Sequence, residues 1–330
     1  MNFAFEEACL VAFLFHYLDD FISLAEASRR EEAMRDFHTV VALAQHIGIP
    51  LAGSKLRPPS TETVFLGVTI NTVDMTVSIP QEKRTRYLEV VSATLEHKKA
   101  TKKALLSVAG KLMWVGRVLR PGRAFIRRII DKAHSVREDR FLVSLDAGVR
   151  EDLTWWKDTL QAWIGTTLIT YREWRFLPDF HAQSDASGSG GFGLICGRDW
   201  CVEQWSEEAR GLNIAVLEMI PLVVGAVLWG QRWSRKRVLF ETDNAAVVAC
   251  AKSWLPRDDH LTRLFRRLAS LAIRHDFDLK VVHLAGKLNT DADDLSRGRT
   301  TEFLSRNPHV HSSPTVIPVG LVASLTEVDF

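Results

Sequence analysis

The chain has 330 residues, 46% apolar and 25% charged, which is enough for two or three domains with sizeable cores and excludes wholesale disorder. Its net charge of +2 hides a division: residues 81–140 hold 16 Lys and Arg against 6 Asp and Glu, a net of +10, leaving −8 for the other 270 residues. Four cysteines (Cys9, Cys196, Cys201, Cys250) are too few for a disulfide scaffold, none has zinc-site spacing, and no apolar run reaches bilayer length, so an intracellular, cytoplasmic or nuclear protein with no membrane partner is expected.

Residues 11–24 read VAFLFHYLDDFISL, two short apolar runs around an acidic tip, which is a hairpin pattern. The spacing of Met34, Phe37, Val40, Val41, Leu43 and Ala44 predicts an amphipathic helix over 28–47, and residues 63–77 alternate like two short strands, VFLGVTI and MTVSI. Pro80 marks a boundary. Basic helices are expected over 81–96 and 100–118, separated by Arg120-Pro121-Gly122 from a third, with a further helix over 148–164 carrying Trp155, Trp156 and Trp163. From Asp179 onward come a strand (FHAQSDAS), glycines at 188, 190, 191 and 193, and strands GFGLICG and WCVEQWS. An apolar helix from Asn213 to Trp233, strand RVLFETD, helices over 244–254 and 259–275, strand DLKVVHLAG and a short helix near Asp291 complete the order βββαβααβα. That order predicts an α/β domain, a mixed sheet with helices packed on it, over 179–300. Residues 301–330 show no periodicity and read as a loose tail.

A positive module such as 81–140 points to a polyanion, since each phosphate contact releases condensed counterions. In the α/β domain four acids stand out. Asp185 ends the first strand before the glycine-rich turn, Glu218 lies in a helix otherwise apolar almost all round, Asp243 ends the strand Val238-Leu239-Phe240, and Asp293 falls in the last helix. Singly each has an ordinary role: a cap, an arginine partner, one of the surface acids Asp291, Asp293 and Asp294. Jointly, strand ends and a facing helix gather all four at one sheet edge, and four converging carboxylates cannot all stay ionised without a cation. Oxygen-only donors select magnesium or manganese over zinc. Two such ions roughly 4 Å apart would stabilise the attacking and leaving oxygens of a phosphodiester.

The segments SDAS, LEMI, ETDN and HLAGKLNTDADDLSR resemble, in that order, the ribonuclease H domain of retroelement reverse transcriptases. The resemblance implies a ribonuclease H-like domain that cleaves the RNA strand of RNA/DNA hybrids with two Mg2+ ions (or Mn2+), and Asp185, Glu218, Asp243 and Asp293 as the metal-binding acids. Asp293 falls in the pattern running from Asn289 to Arg297, and His283, ten residues earlier, resembles the loop histidine that family members use near the departing product. An ordinary strand-end histidine is the alternative.

Tyr17-Leu18-Asp19-Asp20 between apolar runs is similar to the palm hairpin of the same polymerases, and Phe65-Leu66-Gly67 to the strand that closes that palm. Lys55 is either a triphosphate-binding cation or a surface lysine. Only sixteen residues precede Tyr17, and Glu6 and Glu7 do not match the further palm aspartate the family needs. Asp19 and Asp20 therefore read as a residual polymerase site in a truncated palm (1–80), and polymerisation by this chain alone is not expected. The region 81–178 resembles a basic thumb and connection, with Lys102, Lys103, Lys111, Arg120, Arg123, Arg127 and Arg128 expected on duplex phosphates. Trp114, Trp155 and Trp156 either stack on bases or fill core. The run Leu119 to Phe125 and the Trp155-Trp156 pair are similar to the DIRS and Ngaro class of retrotransposons. Two rival readings stay open: a non-catalytic nucleic-acid-binding remnant, and a subunit of a split reverse transcriptase whose missing palm and fingers come from an upstream polyprotein segment.

Overall fold

A computed structural model describes residues 13–163, 165–168, 178–256 and 258–327. The chain forms two units, one of residues 1–84 and 165–169 and the other of residues 85–164 and 170–330.

In the first unit β1 (Phe13–Tyr17) and β2 (Asp20–Leu24) pair antiparallel, with Tyr17 opposite Asp20 and Leu18-Asp19 as a two-residue turn. Leu18 sits at a left-handed φ of 55°, which costs a side chain of this kind about 1–2 kcal/mol. Helix α1 (Arg30–His46) lays Ala44 against Leu14, with Val40, Leu43, Ile49 and Leu51 around them. The stretch VFLGVTI, expected as one strand, is itself a hairpin. Strands β3 (Glu62–Phe65) and β4 (Val68–Asn71) meet at Leu66-Gly67, both at positive φ, the tight turn that glycine at the second position favours. Strands β5 (Thr76–Ser78) and β8 (Thr166–Leu168) complete an antiparallel sheet ordered β3-β4-β5-β8, which shares no pairing with β1-β2 among the described residues.

The second unit begins in helix α2 (Gln81–Glu96) and continues through β6 (Lys99–Thr101), α3 (Lys102–Val115), a 3-10 turn over Arg120–Phe125, α4 (Arg127–His134), β7 (Leu142–Ser144) and α5 (Ala147–Ala162). Thr101 and Asp146 accept from Ala104 and Val149 amides, capping α3 and α5. Strands β6 and β7 pair as a small ribbon that the sequence pattern does not announce. Of the tryptophans here, Trp156 is core and Trp114, Trp155 and Trp163 are half-buried. Trp156 is fully buried and donates Nε1–H to the Phe125 carbonyl at 3.2 Å, while Trp155 stacks on Phe125 with ring centroids 3.7 Å apart. Gly122 makes room for them: a Cβ there would lie 2.7 Å from the Trp156 ring. Trp114 meets Tyr87 edge to face at 5.9 Å.

The α/β region follows the expected order: β9 (Phe180–Ala186), β10 (Gly191–Cys196), β11 (Asp199–Gln204), α6 (Ile214–Trp229), β12 (Arg237–Thr242), α7 (Ala245–Ser253), α8 (Asp259–His275), β13 (Asp278–His283) and α9 (Thr290–Ser296). The sheet runs β11-β10-β9-β12-β13, antiparallel among the first three and parallel from β9 through β12 to β13. Helix α6 is apolar on nearly every face, Glu218 apart, because it is buried on nearly every face, Leu217, Met219, Ile220, Leu222 and Val223 included.

Two expectations about organisation do not hold. The helical region and the α/β sheet, divided at residue 178 in the sequence reading, lie within one unit. Buried Asp152 on α5 ties them, pairing with Arg128 on α4 at 2.9 Å and with Arg266 on α8 at 2.7 Å, while Arg266 also donates to the Ala124 carbonyl. Nor is 301–327 a loose tail. Helix α10 (Thr300–Arg306) buries Phe303 against Trp200, Leu295 and Val310, and helix α11 (Leu321–Thr326) buries Leu321 and Leu325. Between them the chain lies along β11: His311 N–H donates to the Arg198 carbonyl at 2.9 Å and Thr315 N–H to the Trp200 carbonyl at 2.7 Å. Lone apolar anchors spaced by prolines carry no periodicity, so pattern reading misses them. No helix among the described residues is long and apolar enough to cross a membrane.

Candidate metal centre

Parallel pairing sets the site. Strands β9 and β12 run side by side, so Asp185 near the end of β9 and Asp243 just past β12 emerge at one edge of the sheet, and Glu218 reaches them from α6. Each of the three offers a carboxylate oxygen within 4.8 Å of the other two. Glu218 is only 3% exposed; Thr242 Oγ1 donates to it at 3.2 Å, and it accepts the Ala186 amide. Burial first, then the charges of Asp185 and Asp243, push its pKa up to about 8. Asp185 is also raised, chiefly by burial, against the Ser296 hydroxyl that donates to its Oδ2 at 2.6 Å. A hard divalent cation fits this donor set: three converging oxygens, no sulfur or imidazole among them, and a carboxyl that holds a proton at neutral pH without a counter-charge.

Glycine positions the rest. Gly193 on β10 stands opposite Asp185, and a Cβ on it would lie 2.3 Å from Leu295 Cβ and 2.7 Å from the Ala292 carbonyl. Its bare backbone thus admits α9 close to Asp185 and brings Ser296 to hydrogen-bonding distance. Likewise a Cβ on Gly286 would lie 2.9 Å from Asp243 Oδ2, so the loop after β13 closes on that acid.

The fourth expected acid does not join the triad. Asp293 is near enough to raise Asp185 electrostatically, but its Oδ1 accepts from Arg297 Nε at 2.7 Å and its Oδ2 from Arg299 Nη2 at 2.5 Å. Arg299 donates through Nε to buried Asp294 at 2.6 Å, and Arg306 pairs with both Asp294 and Asp291. Ser296, Thr242 and these arginines carry no role in the sequence reading. Ser296 and Arg297 do lie inside the quoted HLAGKLNTDADDLSR segment, which is the one signal that marks them.

His283 ends β13 opposite Thr242, at the same end of the sheet as Asp243, with an exposed ring and no hydrogen bond or ion pair among the described residues. The seven expected phosphate-binding residues divide. Lys102 donates to the Val136 and Arg137 carbonyls, Lys111 to Ser107, Arg123 to the Gly116 carbonyl at the end of α3, Arg127 to Asp131, and Arg128 to Glu151 and Asp152. Burial, then the neighbouring cations Arg120 and Arg117, lower the Arg123 guanidinium below its ordinary value. Lys103 and Arg120 are exposed, and their side chains make no hydrogen bond or ion pair among the described residues. Asp19 and Asp20 are exposed in the first unit and belong to no three-residue ligand group among the described residues, Lys55 is likewise exposed, and Glu6 and Glu7 lie outside those residues.

No protein-family model matches the chain, and no curated protein does. Among solved structures, a foamy viral protease-reverse transcriptase in complex with double-stranded DNA is 12% identical, over 82% of this chain and 46% of that one, with a TM-score of 0.40. The foamy viral protease-reverse transcriptase in complex with an RNA/DNA hybrid is 12% identical, over 82% and 35%, with a TM-score of 0.38. RNase H1 from the halophilic archaeon Halobacterium salinarum NRC-1 is 16% identical, over 38% of this chain and 98% of that one, with a TM-score of 0.27. The chain spans less than half the length of the two foamy viral chains.

Proposed function

We propose that the chain is a metal-dependent ribonuclease that cleaves the RNA strand of RNA/DNA hybrids, as the ribonuclease H portion of a retroelement reverse transcriptase. The observation that carries the reading is the convergence of Asp185, Glu218 and Asp243 from a strand end, a buried helix and a second strand end. Those three residues would hold a divalent cation, Mg2+ or Mn2+, with Asp293 supplying a further ligand from α9. Divalent cations bound there would supply Lewis-acid stabilisation of charge on the phosphodiester oxygens. Thr242 and the Ala186 amide orient Glu218, Ser296 orients Asp185, and exposed His283 serves the departing product from the same end of the sheet. Exposed Lys103 and Arg120 are assigned to duplex phosphates, while Lys102, Arg127 and Arg128, which have partners within the protein, are assigned chiefly to holding its helices. The finer likeness to DIRS and Ngaro elements rests on the Leu119 to Phe125 and Trp155-Trp156 motifs. Asp19 and Asp20 are kept as a residual polymerase site.

The test is cleavage of a labelled RNA/DNA hybrid in Mg2+ or Mn2+ by the intact chain and by Asp185→Asn. Cleavage of the RNA strand that falls at least about 100-fold in the variant is the expected result, the scale on which removal of a single charge-stabilising group acts. Binding of the hybrid without cleavage by either form would instead establish a nucleic-acid-binding remnant.

A further inference from the structure

The arginines on Asp293 do more than decorate a helix surface. Helix α9 is already docked at the carboxylate triad, because Ser296 Oγ donates to Asp185 Oδ2 at 2.6 Å while lying 3.0 Å from the Asp293 carbonyl oxygen. The backbone that carries Asp293 is therefore in place, while its carboxylate stands outside the three-residue ligand group, with one oxygen on Arg297 and the other on Arg299. Both arginines are about half exposed, at 55% and 42%, and the Asp293 side chain is 30% exposed, so parting them buries no orphaned charge. Arg299 keeps a second partner whatever Asp293 does, since its Nε remains on Asp294, a buried carboxylate that Arg306 also holds.

We propose that Arg297 and Arg299 form a latch that stores Asp293 beside the triad and yields it to a divalent cation, which makes Asp293 an exchangeable ligand and the two arginines positioning residues. The proposal rests on the metal-centre reading above. Cation binding that recruits Asp293 must break two charge-assisted hydrogen bonds, so the latch lowers metal affinity and leaves the centre half built until the cation, or a phosphate drawing the arginines off, tips the exchange.

The experiment is a Mn2+ titration of the full chain without nucleic acid, followed by electron paramagnetic resonance of free Mn2+, for the unaltered protein, Arg297→Ala, Arg297→Gln, Arg299→Ala and Arg306→Ala, each also in an Asp293→Asn background, and for Asp185→Asn. Removing either latch arginine is expected to tighten Mn2+ roughly two- to five-fold, the worth of a partly exposed ion pair. Arg306→Ala removes the same charge from the same acidic helix without touching Asp293, and it is expected to change affinity by less than about two-fold. In the Asp293→Asn background the gain is expected to vanish. Equal tightening by all three arginine sites, tightening that survives Asp293→Asn, or no tightening in Arg297→Gln, which keeps the side-chain bulk, would each overturn the latch. Those outcomes leave the metal centre standing, whereas absence of any Mn2+ binding that Asp185→Asn removes would overturn both.

Discussion

At Glu218 a carboxyl is kept where water cannot solvate its charge, and that has a measurable pH signature. Its ordinary value is 4.5 and its folded value about 8, so between those limits the folded state holds one more proton than the unfolded state. Without a divalent cation, stability should therefore fall as pH rises through this window, by at most ~1.4 kcal/mol per unit from this group, and level off above it. Asp185, raised in the same direction, adds to the fall at its acidic end. Urea unfolding in a chelating buffer at several pH values checks this. Glu218→Gln should flatten the slope, and an unchanged slope would contradict the assignment. The acids themselves were legible in the sequence because a glutamate amid Leu217, Met219, Ile220 and Leu222 is anomalous wherever it stands. Their partners were not: Ser296 meets Asp185 across 111 positions, and nothing local to either residue records the encounter.

Among the elements, α9 owes its place to a missing side chain on β10. Gly193→Ala would drive a Cβ into Leu295 and the Ala292 carbonyl, so the helix must retreat from Asp185. We expect a loss of about 1–3 kcal/mol in urea unfolding, as overpacking costs, together with a fall in hybrid cleavage. Gly188→Ala, where a Cβ would meet nothing within 4 Å, is the control. The element order of the α/β region could be read from sequence because its strands and helices are long and strongly patterned. Short pieces escaped: the three-residue strands β6 and β7, and the turn at Leu66-Gly67, are fixed by pairing with distant or following segments. The glycine cluster was visible too, but that Gly193 faces a helix a hundred residues on was not.

Over the whole molecule, a charge cluster joins what the sequence divides. Asp152 is 1% exposed and serves two arginines from different elements, so Asp152→Ala would leave Arg266 without its ion-pair partner and Arg128 with exposed Glu151 alone. Breaking a buried pair in this way costs about 3–5 kcal/mol. The expected outcome in differential scanning calorimetry is one broadened or split transition at lower temperature, with the helical region released from the sheet; a sharp transition at the original temperature would show the clasp to be idle. The net charge of +10 in 81–140 concealed this arrangement, since a count cannot tell a guanidinium aimed inward, like Arg128, from one aimed outward, like Arg120.

The segment lying on β11 has a practical bearing. With the amides of His311 and Thr315 bonded to Arg198 and Trp200, and Trp200 Nε1 bonded to the His311 carbonyl at 2.6 Å, the outer rim of the sheet is occupied by the chain's own C-terminal stretch. Trimming the protein after Arg306 to obtain a minimal nuclease would bare that rim, a template on which neighbouring molecules add strands and precipitate. A truncated preparation that clumps would then reflect the lost cover and say nothing about the chemistry.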